Sequence, residues 1–483
     1  MSAAVARKPA PAAQQRSRLA NLGQLPRQML RRFTWGLADQ AVSSLTNSAI
    51  SIYIARELGA VDFGAFSLAY VTYSFVLNAS RGLGTDPLVV RFSATDVKTW
   101  RRAVACSSGT ALGVGIVAGA CALAVALLLS GTARMAFLAL ALTLPGLMLQ
   151  DSWRYAFFAA GRGNMAFIND SIWALSMVPA LFWLRKTGNG NVFWFVLTWG
   201  AAACLAAAIG PLQARVIPRL SAIRAWVTRH RDLGARYLAE NTSNSAANQL
   251  RTYGVGVILS LAAVGYVQAS NTLMGPFLVV LMGISLVTVP EAARMLRRST
   301  RALRLYCIVL GVALAAAAMG WGIALEFALP RGLGEWLLKG VWKPTYPLVM
   351  PVTVSIAGAC VIAGASAGLR ALGASRRSLR SQIVTSILYV VLGLLGAYFH
   401  GAVGTCEGVA AAVWVAAGMW WWQLHLGLRE APVVPGENGP RSGDGQPGGQ
   451  SGPAGQAGKH ARAANLAAAP AEAGAADLTV EGR

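Results

Sequence analysis

Two sets of polar residues recur at helical spacing in the two halves of the sequence: Asp39, Ser43, Asn47 and Ser51, then Glu240, Asn244, Asn248 and Thr252. Steps of four keep side chains near one another on a helix, drifting by about 40° per step, so each set lines one slowly turning face. Each acid is followed by an amide, Gln40 and Asn241. The surroundings are apolar, and a polar group in an apolar helix is expensive unless it faces a protein interior or water. A duplicated stripe therefore implies a polar cavity shared by two halves, the arrangement of a transport path. Asp39 and Glu240 could couple to a proton or another cation, and Asn47 and Asn248 could hold a solute by hydrogen bonds. Anchoring of a helix near the membrane surface fits the same two acids.

Arg251 is the costliest residue by position. It lies about 14 residues, near 20 Å, into its apolar segment. An arginine at such depth costs about 2.5–3.5 kcal/mol on insertion scales, so it should face a cavity and hold an anion. That anion is either an internal acid such as Asp39 or Glu240, or a substrate phosphate or carboxylate met by the planar guanidinium fork. Further charges gather near other segment ends: Arg81, Asp86 and Arg91, then Asp151, Arg154, Arg162 and Asp170. Arg81 and Arg154 fit side chains that reach back to the headgroups. Together these charges also make a basic mouth that attracts an anionic lipid head.

Enzymatic chemistry finds little support. The four histidines, His230, His400, His425 and His460, lie far apart, and no HExxH, GxSxG, Walker A loop, EF-hand or zinc spacing occurs. No catalytic residue, metal or cofactor is expected. The six cysteines, Cys106, Cys121, Cys204, Cys307, Cys360 and Cys406, show no CxxC spacing and read as small packing residues.

The elements that must position these groups are membrane helices. Of 483 residues, 55% are hydrophobic and 13% charged, against about 25% charged in ordinary soluble chains. Apolar stretches of about 20 residues predict twelve spans, near 34–57, 63–84, 103–130, 133–150, 167–184, 191–213, 237–261, 266–289, 305–328, 346–369, 382–399 and 402–425. The net charge of +23 does not point to nucleic acid, because the arginines cluster on alternate loops. Arg27, Arg31 and Arg32 precede the first span, Arg215, Arg219, Arg224, Arg229 and Arg231 follow the sixth, and Arg294, Arg297, Arg298, Arg301 and Arg304 follow the eighth. The loops between hold few, such as Arg134, Arg185 with Lys186, and Arg331, Lys339 and Lys343. The positive-inside rule then places both termini in the cytoplasm of a multi-pass inner-membrane protein. The expected organisation is a cytoplasmic tail over 1–33, a six-span lobe over 34–213, a basic amphipathic linker over 214–236, a second six-span lobe over 237–430 and a disordered tail over 431–483, rich in Gly, Pro and Ala. Both lobes start and end inside, so the repeat is parallel, and LGAV at 58–61 with Phe63 answers LAAV at 261–264 with Tyr266. The fold class is thus all-α, with about twelve membrane helices in two parallel lobes around a central cavity.

The run NSAISIYIARELGAVDFGAFSLAY, with Asn47, Arg56, Gly59, Phe63, Gly64 and Tyr70, resembles the opening of polysaccharide flippases of the Wzx type. Those belong to the multidrug/oligosaccharidyl-lipid/polysaccharide exporter superfamily. WRYAFFAAGRGNMAFIND, Trp153 to Asp170, resembles the same family's segment between its fourth and fifth spans. The resemblance implies alternating-access transfer of a polyprenyl-pyrophosphate-linked glycan to the outer leaflet. Cationic residues would hold its pyrophosphate: Arg251 first, with Arg81 and Arg154 as contacts at the mouth. It implies membrane lipids as surroundings and a polysaccharide polymerase as a further partner. Within the same superfamily, a cation-coupled exporter of small molecules using Asp39 is the alternative; a non-transporting scaffold of a polysaccharide synthase is a third.

Overall fold

A computed structural model describes residues 11–93, 95–188, 190–329 and 332–430. Over 11–45, at 240, 244, 279, 280, 282, 283, 285–287, 289, 290 and 375, only the backbone is described. All regular structure among the described residues is helical. The order is α1 (Pro11–Ser80), a π-helical turn (Arg81–Thr85), α2 (Asp86–Phe92), α3 (Val97–Leu128), α4 (Gly131–Ala159), α5 (Gly163–Lys186), α6 (Val192–Ala214), α7 (Ile223–Arg229) and α8 (Arg231–Ile258). There follow α9 (Leu261–Leu273), α10 (Gly275–Arg298), α11 (Thr300–Ala328), α12 (Leu333–Leu338), α13 (Trp342–Ala371) and α14 (Ser375–Glu430).

Two of these elements each carry two predicted spans. α1 turns at Gly59, whose φ of 76° is a conformation that a side chain would resist, and α14 turns at His400 and Gly401. Other helices start where a side chain accepts a free backbone N–H: Asp96 from Thr99, Asn191 from Trp194, Ser260 from Ala263 and Ser299 from Ala302. Among the described residues, eight of the helical stretches are long and apolar enough to cross a membrane. α8 is not among them, because its polar stripe lowers its hydropathy. The predicted eighth span is broken, since α9 ends at Leu273 and α10 restarts with Gly275 and Pro276.

Large apolar side chains lie on the outside, among them Leu128, Leu175, Leu212 and Val257. Such an exterior is unstable in water and suits lipid, so the chain is a multi-pass membrane protein. Inside, small residues let helices approach: a β-carbon on Gly115 would stand 2.7 Å from Pro145 Cα. α3 packs on α4, α4 and α5 on α6, α11 on α13, and α13 on α14, while α1 lies against α8 and α9.

Candidate functional site

α8 carries the second polar stripe. Its Arg251 is 6% exposed. Nη2 donates to Asn248 Oδ1 at 3.1 Å, and the guanidinium lies 4.9 Å from the ring centre of Tyr389 on α14. The Tyr389 hydroxyl donates to the same Asn248 oxygen at 3.4 Å. The spacing of three that places Asn248 beside Arg251 on one helix face is thus realised as a direct contact. Arg251 Nε is buried with no acceptor, and no ion pair of Arg251 occurs among the described residues. Glu240 lies eleven positions back on the same helix, about 16 Å along the axis, too far to reach it. The arrangement is a cation fixed by an amide and an aromatic face with donor capacity to spare. It can take an oxyanion.

The other arginines are differently placed. Arg81, in the π-helical turn, makes a two-pronged bond to Asp151 on α4, at 2.9 Å from Nε and 2.6 Å from Nη2, and lies 4.9 Å from the Tyr155 ring centre. Arg154 is 3.5 Å from Asp170 on α5. Gln150 donates to Asp170 at 2.7 Å, and Asn169 donates to Gln213 at 2.8 Å and to the Ala206 carbonyl at 3.0 Å. Gln150, Asp151, Asn169 and Asp170 are buried and Arg81, Arg154 and Gln213 partly so; the network satisfies charges that would otherwise be costly and ties α4, α5 and α6 together. Asn47 is partly buried on α1, and among the described residues it makes no hydrogen bond to Arg251, Asn248 or Tyr389. The side chains of Asp39, Ser43, Glu240 and Asn244 lie outside the described residues.

A ladder of polar contacts runs between the first half of the chain and α8. The hydroxyls of Thr72 and Tyr253 meet, Asn78 donates to Ser245 at 2.7 Å, Asn241 to Asp86 at 2.7 Å and Arg91 to Asp232 at 2.5 Å. A β-carbon on Gly82 would stand 2.6 Å from the Leu238 nitrogen, so the π-helical turn presses directly on the α8 backbone. At the foot of the ladder His230 stacks 4.1 Å from Trp226 and 5.8 Å from Phe92. Sequence reasoning found the stripe that supplies Asn248 and missed Tyr253, Ser245 and their partners, which face them from positions more than 150 residues away.

At the opposite end Glu57 is 3.7 Å from Arg56, 3.4 Å from Arg185 and 3.2 Å from Lys339. This cluster was also missed. Its signal was the presence of cations on loops otherwise poor in them.

No family model matches the sequence, and no curated protein matches it. Among solved structures, the chain is similar to the inward-facing conformation of a multidrug resistance MATE family transporter of the MOP superfamily, at 15% identity over 81% of this chain and 96% of that chain, with a TM-score of 0.65. It is similar to the lipid II flippase MurJ in an inward closed conformation, at 11% identity over 81% and 87%, with a TM-score of 0.62. A MATE in the bent conformation aligns at 16% identity over 83% and 95%, with a TM-score of 0.53. At these identities the likeness shows the fold alone: the chain shares the helical architecture of these structures.

Proposed function

We propose that the protein is a transporter that turns an anionic, polyprenyl-linked glycan from the cytoplasmic to the outer leaflet by alternating access. The observation that carries this reading is Arg251, a buried cation with no carboxylate partner among the described residues and with an unfilled donor. Leaving a charge so placed costs several kcal/mol unless an anion arrives to share it. A pyrophosphate supplies that anion, Asn248 and Tyr389 hold the guanidinium in place, and Asn47 faces the glycan. Arg81 and Arg154 meet the headgroup at the mouth by exchanging Asp151 and Asp170 for phosphate oxygens. The lobes 34–213 and 237–430 rock about α8 and the second part of α1, with Asp39 and Glu240 coupling the motion to an ion gradient. The membrane is the inner one, both termini are cytoplasmic, and a polymerase receives the product. A cation-coupled exporter of small molecules, the alternative within the same superfamily, has less support, because a buried arginine suits anionic cargo and repels a positively charged one.

The test is leaflet transfer of lipid-linked glycan by Arg251→Lys, which keeps the charge and loses the planar fork, and by Arg251→Gln, which loses both. Headgroup binding predicts partial loss in the first and strong loss in the second. Neither Asp39→Asn nor Glu240→Gln, added to Arg251→Gln, should restore transfer. Restoration by either would make Arg251 the partner of an internal acid and end the reading.

A further inference from the structure

The end of the molecule opposite the arginine-rich loops carries an ion cluster that neither the polar ladder nor Arg251 explains. Glu57 stands just before the turn at Gly59, and it is the only carboxylate among the described residues that Arg56, Arg185 and Lys339 touch. These cations come from three places: the end of the first span, the end of α5 and the 3-10 turn Lys339–Val341 after α12. One negative charge faces three positive ones. The Arg56 guanidinium is also 5.2 Å from the Trp336 ring centre, and its Nε is buried without an acceptor. Arg185 and Lys339 keep about half of their side chains in solvent. Cations on this side run against the charge asymmetry of membrane insertion, so their concentration around a single acid needs a use.

We infer that Glu57, Arg56, Arg185 and Lys339 form a phosphate-binding exchange site at the discharge end of the path. With this end closed, Glu57 is the counter-ion that joins the 3-10 turn after α12 to the first span. When the helices part, Lys339 leaves Glu57, and the phosphate group of the departing headgroup takes the vacated donors. Guanidinium and ammonium groups bind carboxylate and phosphate with the same N–H geometry, so one anion can replace the other without rebuilding the site. The inference rests on the transport reading for the identity of the cargo, but its test does not.

The test uses the full chain carrying Arg251→Gln, which removes the mid-membrane cation, in phosphatidylcholine nanodiscs, with inorganic pyrophosphate as probe and calorimetry as readout. Glu57→Gln should tighten pyrophosphate binding several-fold, and Lys339→Gln combined with Arg185→Gln, both at exposed positions, should weaken it about tenfold. Unchanged affinity in Glu57→Gln would overturn the inference, because the acid would then not be competing with the probe. Binding that persists in nanodiscs containing phosphatidylglycerol supports a site for departing headgroups. Binding abolished there identifies bulk anionic lipid as the occupant and overturns the exchange role. Restoration of glycan transfer in Arg251→Gln by Asp39→Asn or Glu240→Gln, with these results intact, would remove the cargo and leave the site.

Discussion

Gly64 and Gly265 meet where the second part of α1 crosses α9. A β-carbon on Gly64 would overlap the Leu261 carbonyl, and one on Gly265 would overlap the carbonyl of Ala60. The two repeated segments, LGAV at 58–61 and LAAV at 261–264, therefore pack on each other, and each helix approaches the other's first turn. Contact this close between backbones needs a residue without a side chain on both helices. Gly64→Val should hold the helices apart. On a background without the six native cysteines, a cysteine at Ala60 should react faster with an impermeant thiol reagent when residue 64 is Val. Equal rates would mean that the crossing slides and does not depend on the glycine.

The orientation that follows from the basic loops is open to a related measurement. Gly188 and Gly340 have open space where a β-carbon would stand, whereas one on Gly334 would collide with the Trp342 ring. Cysteines at 188 and 340, on the same background, should label from outside the cell, and cysteines at Arg224 or Arg301 only after the membrane is opened. Labelling of 188 and 340 solely from the cytoplasmic side would invert the topology.

Much of this architecture was legible in the sequence because lipid leaves few alternatives: a run of about 20 apolar residues is a helix, and arginine clusters mark its ends. The reading was weakest where a helix lowers its hydropathy for a purpose. α8 was predicted as the apolar span 237–261, yet its polar stripe keeps it from being apolar enough to count among the membrane-crossing helices, and the break between α9 and α10 fell inside what looked like one span. At the candidate site, Asn248 stood out as part of the polar stripe and Arg251 by its depth in an apolar segment, but their contact, three positions apart on one helix face, was not read from the sequence. Nor was the pairing of Arg81 with Asp151, since 70 residues separate them. Both residues stood out as charges near a mouth, but nothing local says which cation meets which acid. Glu57 was hidden for the same reason, its partners coming from three separate loops and helix ends.

His230 gives the junction of α7 and α8 a pH dependence. It is buried against Trp226 and Phe92, and that burial holds its pKa below the usual 6.5. The bond to the Trp226 carbonyl and the charge of Asp232 oppose the shift, while Arg91 and Arg229 add to it. As the pH falls below about 6.5, the unfolded chain takes up a proton that the folded chain refuses, so stability declines until the folded value is passed. Detergent-purified protein should thus melt lower at about pH 5.5 than at about pH 7.5, and His230→Phe should shrink the difference. An identical difference in both proteins would remove His230 as the source.

Arg81 and Asp151 offer the sharpest separation of structure from transport. Their two-pronged bond is nearly enclosed, with 22% and 7% of the side chains exposed. Arg81→Gln leaves Asp151 without its partner, and stranding one member of such a pair costs about 3–5 kcal/mol, whereas removing both is close to neutral. Arg81→Gln should therefore lower the melting temperature, and adding Asp151→Asn should restore most of it, since a glutamine and an asparagine can still share a hydrogen bond. Leaflet transfer then decides the role of the arginine. If transfer returns with stability in the double variant, Arg81 only positions the π-helical turn against α4. If stability returns and transfer does not, Arg81 touches the headgroup, as an exchange of Asp151 for phosphate requires. A double variant less stable than Arg81→Gln alone would contradict the pairing itself, because it would mean that Asp151 was held by something other than this arginine.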